Sequence, residues 1–341
     1  MNTISMNIGD KHKGKDRVRI VFMGTPHFAV ESLKALVENG YNVVGVITMP
    51  DKPAGRGYKL QSSPVKQYAL EKGLTVLQPE KLKEEGFLKD LKELKADLQV
   101  VVAFRMLPEV VWNMPPQGTF NLHSSLLPQY RGAAPINWAI INGEKETGVT
   151  TFFLSHDIDT GAILFREKTA ITTDDTAGSL HDRLMKMGAG LVLKTVDAIM
   201  EGTARPTPQR ELVSDEASLK PAPKIFSDDC RVDWEKEANV VFNFIRGLSP
   251  YPAAWTELHS DNLMEPSRVK VYGSKIVGQE TVAMPRDVQP GTLVTDNKSY
   301  LHVTVKDGII GITDIQLAGK KRLSIKELLN GYTIEKGARF S

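Results

Sequence analysis

The stretch VRIVFMGTPHFAVESLKALVENGYNVVGVITM (residues 18–49) decides the fold class. VRIVFMG (18–24) is a continuous apolar run ending at Gly24, the pattern of a strand buried on both faces of a parallel sheet. A helix follows: Phe28, Leu33, Leu36 and Val37 fall on one helical stripe, Pro26 sits in the first turn, and Gly40 follows the last. YNVVGVITM (41–49) is a second strand.

The alternation continues. DLQVVVAF (97–104), GTFNLH (118–123) and GVTTFFLS (148–155) are further strands, with helices expected at about 135–142 and 176–200. The fold class is therefore α/β, a doubly wound Rossmann-like sheet. The turn after the first strand reads GTPHFA, with one glycine where a dinucleotide fingerprint needs three, so NAD is not the expected ligand. Neither a Walker A run nor a Gly-x-Ser-x-Gly elbow occurs.

From 201 to 224 the texture changes: EGTARPTPQRELVSDEASLKPAPK carries four prolines and no periodicity, which marks a linker. Beyond it lie a helical pattern, ANVVFNFIRGL (238–248), and short runs RVKVYGSKIV (268–277), PGTLVTD (290–296), YLHVTV (300–305) and GIIGITDIQ (308–316). Short strands at this spacing predict a smaller, OB-like β-barrel. The expected division is a polar leader (1–16), a catalytic domain (17–204), a linker (205–223) and a barrel domain (224–338).

Length and charge bound the function. A chain of 341 residues, 41% hydrophobic, accommodates two cores. The net charge of +2 means that any basic surface must be local. One cysteine, Cys230, rules out an internal disulfide and a cysteine-based zinc site, and fits a reducing compartment. The leader MNTISMNIGDKHKGKDR has no apolar core for export or membrane insertion, so the expected location is cytoplasmic.

The candidate chemistry lies in NLHSSLLPQYRGAAP (121–135). Strand alternation puts Asn121 and His123 on one face, and the strand's carboxyl end is where open α/β sheets bind ligands. An amide beside an imidazole suits an oxyanion developing on a carbonyl. In HDIDTGAIL (156–164), Asp157 or Asp159 would lie near the same edge, and a carboxylate there would fix the imidazole's tautomer. By composition alone the same residues also read as a strand end and a common turn.

The segment NLHSSLLPQYRGAAPINWAIINGEKETGVTTFFLSHDIDTGAIL (121–164) resembles the signature of the folate-dependent formyltransferases. Further segments resemble the branch of that family that acts on charged initiator tRNA: FMGTPHFAVESLKAL (22–36), MPDKPAGRGYKLQSSPVKQYA (49–69), RVDW (231–234) and IQLAGKKRLSIKELLNG (315–331). The resemblance covers roughly residues 17–338. It implies transfer of a formyl group from 10-formyltetrahydrofolate to the α-amine of methionine on initiator tRNA. The implied catalytic residues are Asn121, His123 and Asp159. The folate is expected along Ser125, Leu126, Leu127 and Pro128. The implied tRNA contacts are Lys52, Arg56, Lys59 and Lys66 in the early basic loop, and Lys320, Lys321 and Arg322 near the C-terminus. The expected protein is a monomer with no metal and no membrane association.

The chain departs from the family pattern at AFRMLP (103–108), where Arg105 replaces a frequent glycine; a contact with the folate tail or the tRNA is one use for it. Arg131 has no role readable from sequence. Two rivals are an enzyme of the same core with another acceptor, such as a sugar-nucleotide amine or water, and a catalytically inactive RNA-binding protein.

Overall fold

A computed structural model describes residue 14 and residues 16–54, 59–213, 215–278 and 288–341. Apart from residues 14 and 16, the expected leader lies outside the described residues. In chain order the first elements are β1 (Arg19–Gly24), α1 (His27–Glu38), β2 (Asn42–Ile47), β3 (Lys52–Ala54), β4 (Lys59–Gln61), α2 (Pro64–Glu71), β5 (Val76–Leu77), α3 (Glu85–Glu93), β6 (Leu98–Val102) and α4 (Glu109–Trp112). Then come β7 (Thr119–His123), α5 (Pro135–Ile141), β8 (Glu146–Phe153), β9 (Ile163–Ala170) and α6 (Ala177–Met200). The C-terminal part holds α7 (Ala238–Leu248), β10 (Ala254–His259), β11 (Ser267–Val277), β12 (Leu293–Thr295), β13 (Leu301–Val305), β14 (Gly308–Leu317), β15 (Leu323–Ser324), α8 (Ile325–Leu329) and β16 (Arg339–Phe340).

The chain divides into two compact units, not by a single cut. The first comprises the described residues up to Arg131 with Gly148–Thr169 and Asp182–Pro221; the second takes Gly132–Thr147, Ala170–His181 and Ala222–Ser341.

The first unit is built on a seven-stranded sheet of order β5-β2-β1-β6-β7-β8-β9. Its centre is parallel, as the apolar runs predict, with Phe22 opposite Val100 and Val100 opposite Phe120. The step from β7 to β8 is not parallel: β8 runs antiparallel to β7, with Asn121 opposite Phe152 and His123 opposite Thr150. The sequence shows strand character without direction, so the antiparallel setting of β8 is visible only in the structure.

Alternation sorts the side chains. Val21, Met23, Ile47 and Val101 form one face, packed with Phe87 and Leu91 of α3 and Val111 of α4. Phe120 and Leu122 point the other way, and Leu122 meets α6 at Gly188. Gly24 closes β1 where a side chain would strike the Cβ of Ala29, which lets α1 start hard against the sheet.

The second unit is an antiparallel sheet of order β12-β13-β14-β11-β10-β16, with β15 on β14. It closes on itself: Phe340 donates its amide to Gly291 O at 2.8 Å and Leu293 donates to Ala338 O at 3.2 Å. Gly291, at φ +88°, is required there, because a Cβ would run into Phe340 O. Trp234 stacks on Phe340 with centroids 5.6 Å apart and donates its indole N–H to Thr256 at 3.0 Å, so the RVDW segment plugs the seam. Val241, Ile245 and Leu248 of α7 share the core with Val269, Val271, Leu301 and Ile310. This nearly closed barrel is the second domain expected from the short strands.

His302 of β13 is buried beside Tyr300, and its Nδ1 has no hydrogen-bond partner among the described residues. Burial, helped by the charge of Lys275 and opposed by Asp296, holds the imidazole below its ordinary value of 6.5. The unfolded chain then binds this proton more readily than the folded one. Stability from this group is complete above about pH 6.5 and falls as the pH drops through that value. A His302→Leu variant is expected to show a flatter dependence of urea midpoint on pH between 7 and 5 than the parent protein; equal slopes would contradict this. Phe120→Ala, at a fully buried position, is expected to lower stability by about 3–5 kcal/mol in the same titration.

Candidate active site

Asn121 and His123 lie at the carboxyl end of β7, on the face that continues from Val101 of β6. Asn121 is half-buried, and its side-chain amide makes no hydrogen bond to another described residue. His123 is buried at 6% exposure and held on both sides. Its Nε2 lies 2.8 Å from the carbonyl of Tyr130, an acceptor only, so Nε2 carries the hydrogen and donates. Its Nδ1 lies 3.8 Å from Oδ2 of Asp159. That distance is too long for a direct hydrogen bond and places the carboxylate beside the ring nitrogen that Tyr130 does not occupy.

His123 and Asp159 therefore come together, with Asn121 two residues before His123 on the same face of β7, and Asp159, not Asp157, carries the carboxylate beside His123. Both backbone segments that serve the imidazole are in the left-handed region: Tyr130 at φ 61° and Asp159 at φ 56°. Non-glycine residues rarely adopt this conformation, which costs on the order of 1–3 kcal/mol, and it persists here because neighbouring bonds fix both loops.

The loop after β7 is pinned by its backbone. Thr150 Oγ1 donates to Ser125 O at 2.6 Å and accepts from Leu127 N at 3.1 Å, while Arg166 donates to Leu127 O at 3.2 Å. Ser125 is fully buried and donates its hydroxyl to Gln129 O at 2.7 Å. The Leu127 side chain packs in a core with Phe152 and Ile163, and Pro128 is buried. Leu126 lies against Gly148. Of the four residues expected along the folate, Ser125 and Leu127 turn their side chains inward, so a ligand on this wall would meet mainly backbone.

The expected basic contacts sort by their partners. Lys66 is ion-paired with Asp51 at 2.6 Å, and this bond, with one from Gln78, holds the Asp51 carboxyl below its ordinary range. Arg322 is paired with Asp314 at 3.1 Å and lies over the Tyr272 ring. Lys52, Lys320 and Lys321 are exposed. Arg56 and the side chain of Lys59 lie outside the described residues. Arg105 donates to the carbonyls of Pro79 and Glu80, so its guanidinium clamps the neighbouring loop.

Arg131, without a role in the sequence, donates from Nε and Nη2 to Gln209 Oε1 at 3.0 and 2.7 Å. Gln209 lies in the proline-rich stretch read as a linker. That stretch is anchored to the first unit: Ile163 and Thr207 exchange backbone hydrogen bonds at 2.8 Å each, and Gln209 is 3% exposed. Periodicity gives no sign of this, because a single buried glutamine between prolines has none. Among the described residues, no helix is long and apolar enough to cross a membrane.

The chain that folds into this mostly parallel α/β sheet and antiparallel barrel matches two family models. The Formyl transferase model matches residues 18–196, and the Formyl transferase, C-terminal domain model matches residues 224–333. The chain belongs to the formyl transferase family. Over 327 residues it is 57% identical to the methionyl-tRNA formyltransferase of Bacteroides thetaiotaomicron, covering 96% of this chain and 99% of that one. Two solved structures share the fold. One is HypX from Aquifex aeolicus in complex with tetrahydrofolic acid, at TM-score 0.61 and 18% identity, covering 92% of this chain and 47% of that one. The other is the N-formyltransferase from Helicobacter canadensis with folinic acid and dTDP-3-aminofucose, at TM-score 0.61 and 21% identity, covering 90% and 100%.

Thr150 is fully buried and satisfies two backbone groups of the loop at once. Thr150→Val leaves both without that partner and is expected to destabilise the protein by about 1–3 kcal/mol in chemical denaturation, whereas Thr150→Ser retains most of the stability. Equal losses in the two variants would show that the methyl, not the hydroxyl, holds the loop.

Proposed function

We propose that this protein transfers the formyl group of 10-formyltetrahydrofolate to the α-amino group of methionine on initiator methionyl-tRNA. One observation carries the reading. Asn121 and His123 stand together at the end of β7 with Asp159 3.8 Å from the imidazole, in a chain 57% identical over 96% of its length to a named methionyl-tRNA formyltransferase.

The chemistry follows from the groups. The neutral amine attacks the formyl carbon, and the carbonyl electron pair moves onto oxygen. The bond to the folate nitrogen then breaks, the oxyanion re-forms the carbonyl, and the proton lost by the amine is taken up by the departing folate nitrogen. The Asn121 amide, without a side-chain partner among the described residues, donates to the oxyanion. His123 keeps Nε2–H on Tyr130 O, so in this reading the ring meets the oxyanion through Nδ1, the nitrogen beside Asp159. Asp159 also provides a base for relaying the amine proton, directly or through a water. No covalent intermediate on the enzyme is required.

The acceptor is large and polyanionic. In this reading the exposed Lys52 of the β3–β4 hairpin and Lys320 and Lys321 after β14 contact tRNA phosphates, and Lys66 and Arg322 support them from within ion pairs. The protein acts as a cytoplasmic monomer. A sugar-nucleotide amine, the acceptor type in the Helicobacter canadensis complex, is the rival; it offers no use for these outlying lysines.

Incubation with 10-formyltetrahydrofolate and charged initiator tRNA is expected to give formyl-methionine, and formylation of an amino sugar in its place would overturn the reading. Asn121→Ala is expected to lower turnover about a hundredfold or more with an unchanged fold, since removal of one oxyanion donor costs roughly 3 kcal/mol of transition-state stabilisation. The double change Lys320→Ala, Lys321→Ala is expected to weaken tRNA binding and reduce the slope of log affinity against log salt by about one for each phosphate that these lysines neutralise. An unaltered slope would remove them from the interface.

A further inference from the structure

Asp159 occupies a turn between β8 and β9 that a typical L-residue avoids, and something must hold it there. On one side the turn braces itself: Ser155 and Thr160 hydroxyls lie 3.0 Å apart, and Thr160 Oγ1 donates to Asp157 O at 3.0 Å. On the other side stands Gln209. Its Nε2 donates to Asp159 O at 2.7 Å and to Gly161 O at 2.9 Å, using both amide hydrogens on the carbonyls that flank Thr160. Its Oε1 accepts twice from Arg131. Arg131 directly follows Tyr130, whose carbonyl accepts from His123 Nε2.

These contacts form a ring. From His123 it passes through Tyr130 O to the backbone of Arg131, through the guanidinium to Gln209, through the amide to the Asp159 backbone, and through the Asp159 carboxylate back to His123 Nδ1. Every member lies in the first compact unit. The two loops that grip the imidazole are thus tied to each other by one primary amide.

We propose that Gln209, held by Arg131, is a positioning residue for the reaction, fixing the backbone of Asp159 and with it the separation and orientation of the Asp159 carboxylate and the His123 ring. The inference rests on the catalytic reading of His123 and Asp159 given above. Only a primary amide suits the place. A glutamate of the same shape would accept from Arg131 and donate nothing to the two carbonyls; a methionine would do neither; a lysine or arginine would oppose Arg131. Burial makes the bonds consequential, because water is not at hand to replace them at a residue 3% exposed.

The variants Gln209→Glu and Gln209→Met test this, with Asp159→Asn alongside. Both Gln209 variants are expected to lower kcat between about ten- and a hundredfold, the scale of a misplacement near 1 Å, while KM for folate and for tRNA changes less than about twofold. Gln209→Glu is expected to be no better than Gln209→Met although it keeps the Arg131 pair. A purely structural glutamine would lower the urea midpoint and leave kcat where it is. That result overturns the proposal, as does full turnover in Gln209→Glu. If Asp159→Asn itself retains full turnover, the catalytic reading fails. If Asp159→Asn is inactive and the Gln209 variants are normal, only the positioning role fails. Should Gln209→Met not fold, the isosteric Gln209→Glu alone decides.

Discussion

A buried imidazole needs two partners, and the loops after β7 and β8 take the shapes that supply them to His123. At 6% exposure the ring cannot rely on water. The Tyr130 carbonyl meets one nitrogen and the Asp159 carboxylate approaches the other, each presented from a residue with positive φ. Neither loop would adopt that conformation alone. The hydrogen bonds of Thr150, Arg166 and Gln209 to backbone carbonyls hold them, so the site is a consequence of backbone satisfaction as much as of the three side chains.

The direction of β8 follows from the same requirement. A parallel strand after β7 would need a crossover that returns the chain to the far end of the sheet. Running antiparallel, β8 passes beside His123 at Thr150 and ends beside Phe120 at Phe153. Thr150 is thereby placed under the β7 exit loop, where its hydroxyl bridges Ser125 and Leu127.

Much of this was legible in the sequence, and the unread part has a common cause. Continuous apolar runs gave β1, β2, β6 and β14, the stripe of Phe28, Leu33 and Leu36 gave α1, and alternation put Asn121 and His123 on one face. Strand direction was not legible, because burial on both faces looks the same whichever way a strand runs. The seam strand β16 is two residues long, below any periodicity. The ion pairs of Lys66 and Arg322 were not legible either, because their partners Asp51 and Asp314 lie 15 and 8 residues away in sequence. Gln209 escaped for the same reason: its partners are 48, 50 and 78 residues distant, and polar satisfaction across such gaps leaves no local trace.

Asn121 presents the contrast that makes the site more than a satisfied strand end. Buried polar groups in a folded protein normally find partners within it, as His123, Ser125, Thr150 and Gln209 all do. The Asn121 side chain, one step back on the same face, has none among the described residues and stays half-buried, so solvent can meet its amide. A donor kept at the carboxyl end of a strand, beside an imidazole whose own bonds are arranged by backbone, is available to a ligand without breaking any internal bond. That asymmetry, a histidine fixed by a backbone carbonyl next to an asparagine whose side chain has no partner among the described residues, is what the proposed oxyanion role needs: a ring held in place beside a donor left open to a ligand.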